Sequence, residues 1–448
     1  MNRKLTLALI LFFGFLSHAV AHTVPHTGQT ECYNAKGKLV SWPSPGQPFY
    51  GQDANYILNP KSYTKLGYKG IELPVNALHV DYGGGWIMTR DNFTGLIWEI
   101  KTTANKNADY TWSEAEDFID QLNINGGGFG GFDDWRLPGR AELSSLSDRG
   151  KHKPAIETFW FPNTVSWRYW SSTMVANKPD NAWRVNAAIG FVYYENKENS
   201  RYHVRAVRGP ALDKYMADNN NGTVTDKTTG LTWQKCTYGQ KWDNINAACT
   251  GEPLLVTWEE ALAEASKYDN WRLPNIDELQ SLVDDSAFDP AICEPFRQYL
   301  PRSLVSPDPD HMHTLPYWSS TTDVRFSDYD RAWIINFVDG SNNYDGYNGD
   351  QGVKTRKFFI RLVRGGEQQV ISTRILNWAE FLFPELLPVS EGITYDEDEL
   401  YYRYYPSTGI YLGGYQGRLL YYHLDLNPGV YDMGSLDEYF PLVIEAGF

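Results

Sequence analysis

The sequence predicts an α+β fold of two tandem domains, each with short helices and small antiparallel sheets, followed by a C-terminal helix and β-meander. Three observations carry that expectation: a duplicated set of sequence blocks, capping signals that mark short helices in each copy, and Trp-, Tyr-, Val- and Ile-rich runs broken by Gly, Asn and Asp. The 448 residues exceed what one ordinary core organises. Hydrophobic residues make up 42% and aromatics 15%, which excludes global disorder.

The N-terminus reads as an export signal. Met1-Asn2-Arg3-Lys4 is a basic start, Leu5 to Leu16 is an apolar run, and Ala19-Val20-Ala21 is a small-x-small site. The run is short for a transmembrane span, and no later stretch approaches membrane length. Residues 1–21 are therefore expected to be a signal peptide, leaving a secreted, periplasmic or cell-surface protein that is not an integral membrane protein. Losing Arg3 and Lys4 takes the formal charge from −15 to −17. That balance argues against nucleic acid as a partner, because phosphate neutralisation needs clustered Lys and Arg.

Export makes disulfides the default for cysteine. Cys236 and Cys249 are close in sequence and form the easiest pair. Cys32 and Cys293 remain, and sequence does not choose among the three connectivities open to four cysteines. No Cys-x-x-Cys or His-x-x-x-His occurs, and His311 and His313 read as loop residues.

Seven blocks recur in the same order. Thr94-Gly95-Leu96-Ile97-Trp98 returns as Thr229-Gly230-Leu231-Thr232-Trp233, and Thr111-Trp112-Ser113-Glu114-Ala115 as Thr257-Trp258-Glu259-Glu260-Ala261. Asp134-Trp135-Arg136-Leu137-Pro138 returns as Asn270-Trp271-Arg272-Leu273-Pro274, and Glu142-Leu143-Ser144-Ser145-Leu146 as Glu278-Leu279-Gln280-Ser281-Leu282. Tyr169-Trp170-Ser171-Ser172-Thr173 returns as Tyr317-Trp318-Ser319-Ser320-Thr321. Ala182-Trp183 with Asn186 returns as Ala332-Trp333 with Asn336. Val204-Arg205-Ala206-Val207-Arg208-Gly209 returns as Ile360-Arg361-Leu362-Val363-Arg364-Gly365. A unit of this size is a whole domain rather than a solenoid turn. The expected division is 22–210 and 211–366, with a Tyr-rich module at 374–448.

Each element has a local cause. Thr111 with Glu114, and Thr257 with Glu260, have the spacing of capping boxes. Behind them Ala115, Phe118, Ile119 and Leu122, and in the second copy Ala261, Leu262 and Ala265, fall at helical spacing. Asn275 with Glu278 marks a second helix start, as does Gly139 with Glu142. The later blocks read as short strands and turns. Gly126 to Gly131 reads as a flexible connector, since it lacks the Lys-Ser/Thr end of a phosphate loop. After residue 366, Thr373 to Leu387 reads as an amphipathic helix. The runs Tyr401–Tyr405, Tyr411–Gly413 and Leu419–Tyr422 read as a β-meander.

These blocks resemble the C-terminal domain of the Legionella collagen-like adhesin, over roughly Cys32 to Gly366, with Thr27 to Tyr33 resembling the family's lead-in. The resemblance implies a C-type-lectin-like domain related to the formylglycine-generating-enzyme branch. It implies secreted or adhesive proteins with glycan binding, and not catalysis. The family often has a second cysteine soon after Cys32, where this chain has Trp42. The paired catalytic cysteines of the related enzymes have no match in both domains.

Candidate functional residues follow. Arg136 and Arg272 could grip an anion, but their place between core-type residues favours a structural tie. The repeated Trp residues mark the core rather than a sugar platform. Asp218, Asn220, Gly222 and Asp226 form an oxygen-rich series that suits calcium, and that also suits a plain turn. The segment 339–350 is the candidate ligand loop, with Asn342, Asn343, Tyr344, Asp345, Tyr347, Asn348 and Asp350 able to meet sugar hydroxyls or stack on a sugar face. Its shorter counterpart is 193–201, and two drifting solvated loops fit equally well. No Gly-x-Ser-x-Gly or His-Glu-x-x-His is present, so no enzyme is expected. The function expected is binding of an extracellular glycan or surface protein, adhesive and calcium-assisted, with an envelope assembly role as the alternative. N-terminal sequencing of the exported protein should begin at His22; an intact Met1 on that protein would refute the export signal.

Overall fold

The computed structural model describes residues 24–56, 61–124, 127–211, 214–268, 270–301, 316–325, 329–342 and 352–365, and beyond them five strands between 393 and 435. The segments 1–21, 343–350 and 373–387 and the pair His311 and His313 lie outside the described residues.

The two copies fold alike. In the first, strands Tyr63–Leu66, Met88–Asp91, Ile97–Glu99 and Val207–Arg208 form one antiparallel sheet, edged by Glu72–Leu73. Helices α1 (Trp112–Ile124) and α2 (Arg140–Ser145) follow, then a sheet of Arg168–Val175, Lys178–Asn186 and Phe191–Asn196. In the second, Met216–Asp218, Thr223–Asp226, Thr232–Gln234 and Val363–Arg364 form the first sheet. Helices α3 (Trp258–Ala265) and α4 (Ile276–Ser281) follow, then Pro316–Thr322, Ala332–Asn336 and Ser341–Asn342. The fold is thus α+β with tandem domains, as the blocks imply.

The capping signals act as read. Thr111 Oγ1 accepts from Glu114 N–H, and Glu114 Oε2 accepts from Thr111 N–H at 2.9 Å. Thr257 with Glu260 and Asn275 with Glu278 repeat the exchange. At α2 only half the box exists, because Gly139 has no side chain to accept; its N–H still donates to Glu142 Oε2 at 2.7 Å.

The Tyr-Trp-Ser-Ser-Thr block explains itself through strand alternation. Neighbouring residues face opposite sides of a strand. Tyr169 and Tyr317 enter the cores that hold Trp98 and Trp233, while Trp170 and Trp318 enter the cores packed against α1 and α3. Trp170 Nε1 donates to the Tyr110 carbonyl and Trp318 Nε1 to the Val256 carbonyl, both at 2.9 Å. Ser171 and Ser319 hydroxyls donate to the carbonyls of Trp183 and Trp333. Thr173 and Thr321 accept from the first N–H of α2 and α4. These tryptophans are buried in the core.

The Trp-Arg-Leu-Pro arginines are structural. Arg136 grips Glu142 through two bonds of 2.7 Å, and Arg272 grips Glu278 through two of 2.6 Å. The same glutamates cap the helices, so each pair clamps its Arg-Leu-Pro strand to the next helix. Arg205 and Arg361 then bond the carbonyls of Glu99 and Gln234, tying the segment before the last strand to Ile97–Glu99 and Thr232–Gln234.

Three expectations change. From Gly127 onward the glycine run is not a loose connector, Gly126 lying outside the described residues: residues 129–131 form a 3-10 turn, and the Phe129 carbonyl accepts from Trp135 Nε1. Gly128 has φ +86, and a Cβ there would meet the Phe132 carbonyl at 1.9 Å. The lead-in, grouped by chain order with the first domain, makes buried contacts with the second. Gln29 exchanges two 2.8 Å bonds with Thr322, and Asp53 Oδ2 accepts from Thr27 and Thr321 hydroxyls. Cys236–Cys249 forms a disulfide as read, bracing the hairpin Lys241–Asp243 and Ala248–Thr250; Cys32 and Cys293 are buried thiols. Strands Ile393–Glu397, Leu400–Tyr405, Ile410–Tyr415, Arg418–His423 and Tyr431–Ser435 form the C-terminal meander, two strands more than the runs marked.

Two measurements check these ties. Arg272 and Glu278 side chains are 2% and 3% exposed, whereas Arg136 is 31% exposed. Removing one partner of a buried pair costs about 3–5 kcal/mol. Arg272→Ala should therefore lower the unfolding midpoint clearly more than Arg136→Ala, and equal losses would contradict the clamp. Asp53 is buried, which pushes its carboxyl up to about 7; bonds from Thr321 and Thr27 oppose the rise, and the negative Glu278 and Asp277 add to it. Since the folded value lies above the unfolded one, this group's stability contribution is present below about pH 4 and is lost as pH rises to 7, roughly 4 kcal/mol in all. Asp53→Asn should remove that component from a stability–pH curve measured by urea unfolding.

Candidate functional site

The oxygen-rich series does not converge. Asp218 and Asp226 sit at opposite ends of a β-hairpin, where Asp218 pairs with Val224 and Asp226 with Met216. Asp218 faces Lys235 Nζ at 2.5 Å and accepts from Asn220 N–H at 2.7 Å. Asp226 closes the turn that follows it, accepting from Thr228 N–H and Thr229 Oγ1. The first copy builds the same turn with Asp91 and Thr94. Asn220 and Gly222 take positive φ in the hairpin turn, with Gly222 against Trp242. All four residues are thereby accounted for by hairpin and turn geometry, and among the described residues no cluster of three His, Cys, Asp or Glu side chains is poised for a metal.

Asn342 is not in a solvent-facing loop. It is fully buried, and its Oδ1 accepts from Val192 N–H of the first domain at 2.8 Å. It belongs to the domain interface. Asn343, Tyr344, Asp345, Tyr347, Asn348 and Asp350 lie outside the described residues.

That interface is an approximate twofold. Val192 and Asn342 occupy matching positions of the two copies, and so do Ser144 and Gln280, which bond at 3.3 Å. Matched residues meet each other at a twofold. Off the axis, Arg140 pairs with Asp285 at 2.5 Å and bonds the Gly340 carbonyl at 3.0 Å. Arg149 pairs with Asp277 at 2.8 Å and bonds the Gly190 carbonyl. The Arg140 and Arg149 guanidiniums lie 4.3 and 4.8 Å from the rings of Trp183 and Trp333. The lead-in runs across the join, where the Thr27 carbonyl accepts from Arg149 N–H.

Beside this join opens a cleft of about 310 Å³. Matched positions line it from both copies: Thr94 and Thr229, Ala141 and Asp277, Ser144 and Gln280, Ser145 and Ser281. Val24, Pro25 and Lys214 complete one side. Clefts at domain joins are preferred ligand sites. Sequence reasoning missed it because its lining comes from two copies and the lead-in. The available signal was that α2 and α4 differ at Arg140/Ile276, Ala141/Asp277 and Ser144/Gln280 while their Glu, Leu and second Ser repeat.

A second surface belongs to the first copy alone. Its first two paired strands are joined by residues 67–87, where the second copy uses 219–222. The insertion exposes Tyr68, Ile71, Val75, Leu78, Val80 and Tyr82. It is held from beneath: Asp81 Oδ2 accepts from Thr103 N–H and Asn163 Nδ2, and Lys65 Nζ lies 4.0 Å from the Trp86 ring and donates to the Ala77 carbonyl.

Residues 87–208 and 222–364 each match the family described as Lcl C-terminal domain, and together they cover more than half of the chain. A comparison with curated protein sequences returned no match. No described helix is long and apolar enough to cross a membrane.

Proposed function

The chain belongs to the Lcl C-terminal domain family, and from that premise we propose that it is an exported, non-enzymatic, adhesin-like protein that binds a glycan or surface partner outside the cell. The observation that carries this reading is the cleft at the join of the two domains. The repeated residues are occupied with folding: arginines clamp helices, tryptophans fill cores, and the Asp-x-x-Thr pairs close turns. The side chains that meet at the join are ones by which the copies differ. Calcium assistance remains a separate proposal: Asp218 pairs with Lys235 and Asp226 with its own turn, so an ion there would have to displace those partners.

A second reading has its own support. The insertion 67–87 presents aliphatic side chains with one Lys, one Glu and one Asp, the chemistry of a protein contact rather than of a sugar platform. In that reading the chain holds a protein partner in an envelope assembly.

A glycan array probed with the mature chain, in calcium and in chelator, tests the first reading. Binding in calcium supports it, loss of that binding in chelator assigns calcium a part, and no binding to any sugar defeats it. Val75→Asp combined with Leu78→Asp tests the second: a stoichiometric protein partner recovered by the native chain should be lost by the variant, and its retention would remove the insertion from the interface.

A further inference from the structure

We propose that the interdomain cleft holds a single neutral, hydroxyl-rich ligand unit with the chemistry of an uncharged sugar ring, and that it discriminates against sulfated or carboxylated glycans. This rests on the reading of the chain as an extracellular binding protein and adds to it a place and a ligand class.

Charge bookkeeping within the cleft supplies the first argument. Among its lining residues, Glu142, Asp277 and Asp285 each face a guanidinium, those of Arg136, Arg149 and Arg140. Asp226 is closed by its own turn, and Lys214 donates to the Val283 carbonyl. An anionic ligand at Arg136 or Arg140 would have to draw an arginine from its carboxylate, one at Lys214 would compete with the Asp284 carboxylate near it, and a cationic one at Glu142, Asp277 or Asp285 would have to draw a carboxylate from its arginine. Either exchange leaves a poorly solvated charge without its partner, the costly case for ion pairs. A neutral ligand displaces no ion pair.

Hydrogen-bonding capacity supplies the second. Ser145 and Ser281 hydroxyls donate to the carbonyls of Glu142 and Glu278, both at 2.7 Å, so each keeps lone pairs to accept with. Gln280 has its carbonyl oxygen engaged by Ser144 and brings an amide NH2 as a donor. Ser172 and Thr173 add hydroxyls from the first domain's long strand. A mixture of acceptors and donors at close range matches groups that both give and take a hydrogen bond, which alcohols do. The volume of about 310 Å³ sits at the small end of ligand pockets, room for one ring rather than a chain.

Symmetry supplies the third. Ser145 and Ser281 are matched positions, as are Thr94 and Thr229, so the two walls present like groups. A ring with hydroxyls on opposite edges can engage both walls at once. Either domain alone offers one wall.

The test uses the mature chain against immobilised neutral oligosaccharides, with heparin as the sulfated probe. Ala141 and Ala211 are exposed alanines on the cleft lining. Ala141→Trp and Ala211→Trp, made separately, fill the cleft without removing a side-chain hydrogen bond; thermal unfolding checks that each still folds. The proposal expects the native chain to bind a neutral oligosaccharide, each folded variant to bind it at least tenfold more weakly, and heparin to bind no better than background. Unchanged binding in both variants overturns the cleft as the site while leaving the binding function standing. Heparin bound in preference to neutral sugars overturns the ligand class. A native chain that binds no glycan overturns the reading beneath both.

Discussion

The bidentate Arg–Glu pair is the constraint on which the rest of each domain depends. Arg136 or Arg272 arrives on a short extended segment that bridges to the last strand of its sheet, and Glu142 or Glu278 is the third residue of the helix that follows. One glutamate therefore caps a helix and binds an arginine at once. This fixes where α2 and α4 start relative to the sheets. Once those helices are placed, their unpaired faces are what the two domains offer each other. The interface, the cleft and the crossing of the lead-in all follow from that placement.

The join works by difference laid over sameness. Positions identical in the two copies maintain the domain, because both copies face the same packing problem. Positions that differ carry the contact: two arginines on the first domain meet two aspartates on the second, and Ser144 meets Gln280. Identical partners at a twofold would have placed like charges together. Divergence after duplication allows opposite charges there instead. The lead-in strengthens the join through Thr27, Gln29 and Asp53, which link Arg149 on one side to Thr321 and Thr322 on the other.

Much of this was legible in the sequence where the cause is local. Capping boxes depend on two residues three apart, and strand alternation on neighbours, so the helices and the fate of the tryptophans could be read directly. The 13-residue separation of Cys236 and Cys249 made them the easiest pair among three connectivities, and the structure forms it. What stayed hidden depends on distant pairs. Gln29 and Thr322 are 293 positions apart, and nothing in either residue points to the other. Asn342 looked like the start of a ligand loop because Asn beside Gly and Asp is ordinary loop composition; its burial comes from Val192 across the join. Asp218 to Asp226 resembled an ion-binding series because Asx turns and calcium loops draw on the same residues. Lys235, 17 positions past Asp218, is the partner that Asp218 takes, and spacing does not reveal it.

If the join is a fixed surface rather than a tether, the distance between the domains should take one value in solution. Spin labels placed at Ile124, 70% exposed on the first domain, and Tyr268, 46% exposed on the second, would report it by pulsed electron resonance. The account predicts a single narrow distance distribution in the native chain, which broadens when Arg149 and Arg140 are both replaced by alanine. A broad distribution in the native chain would contradict it, since a cleft built from two walls requires that the walls stay together.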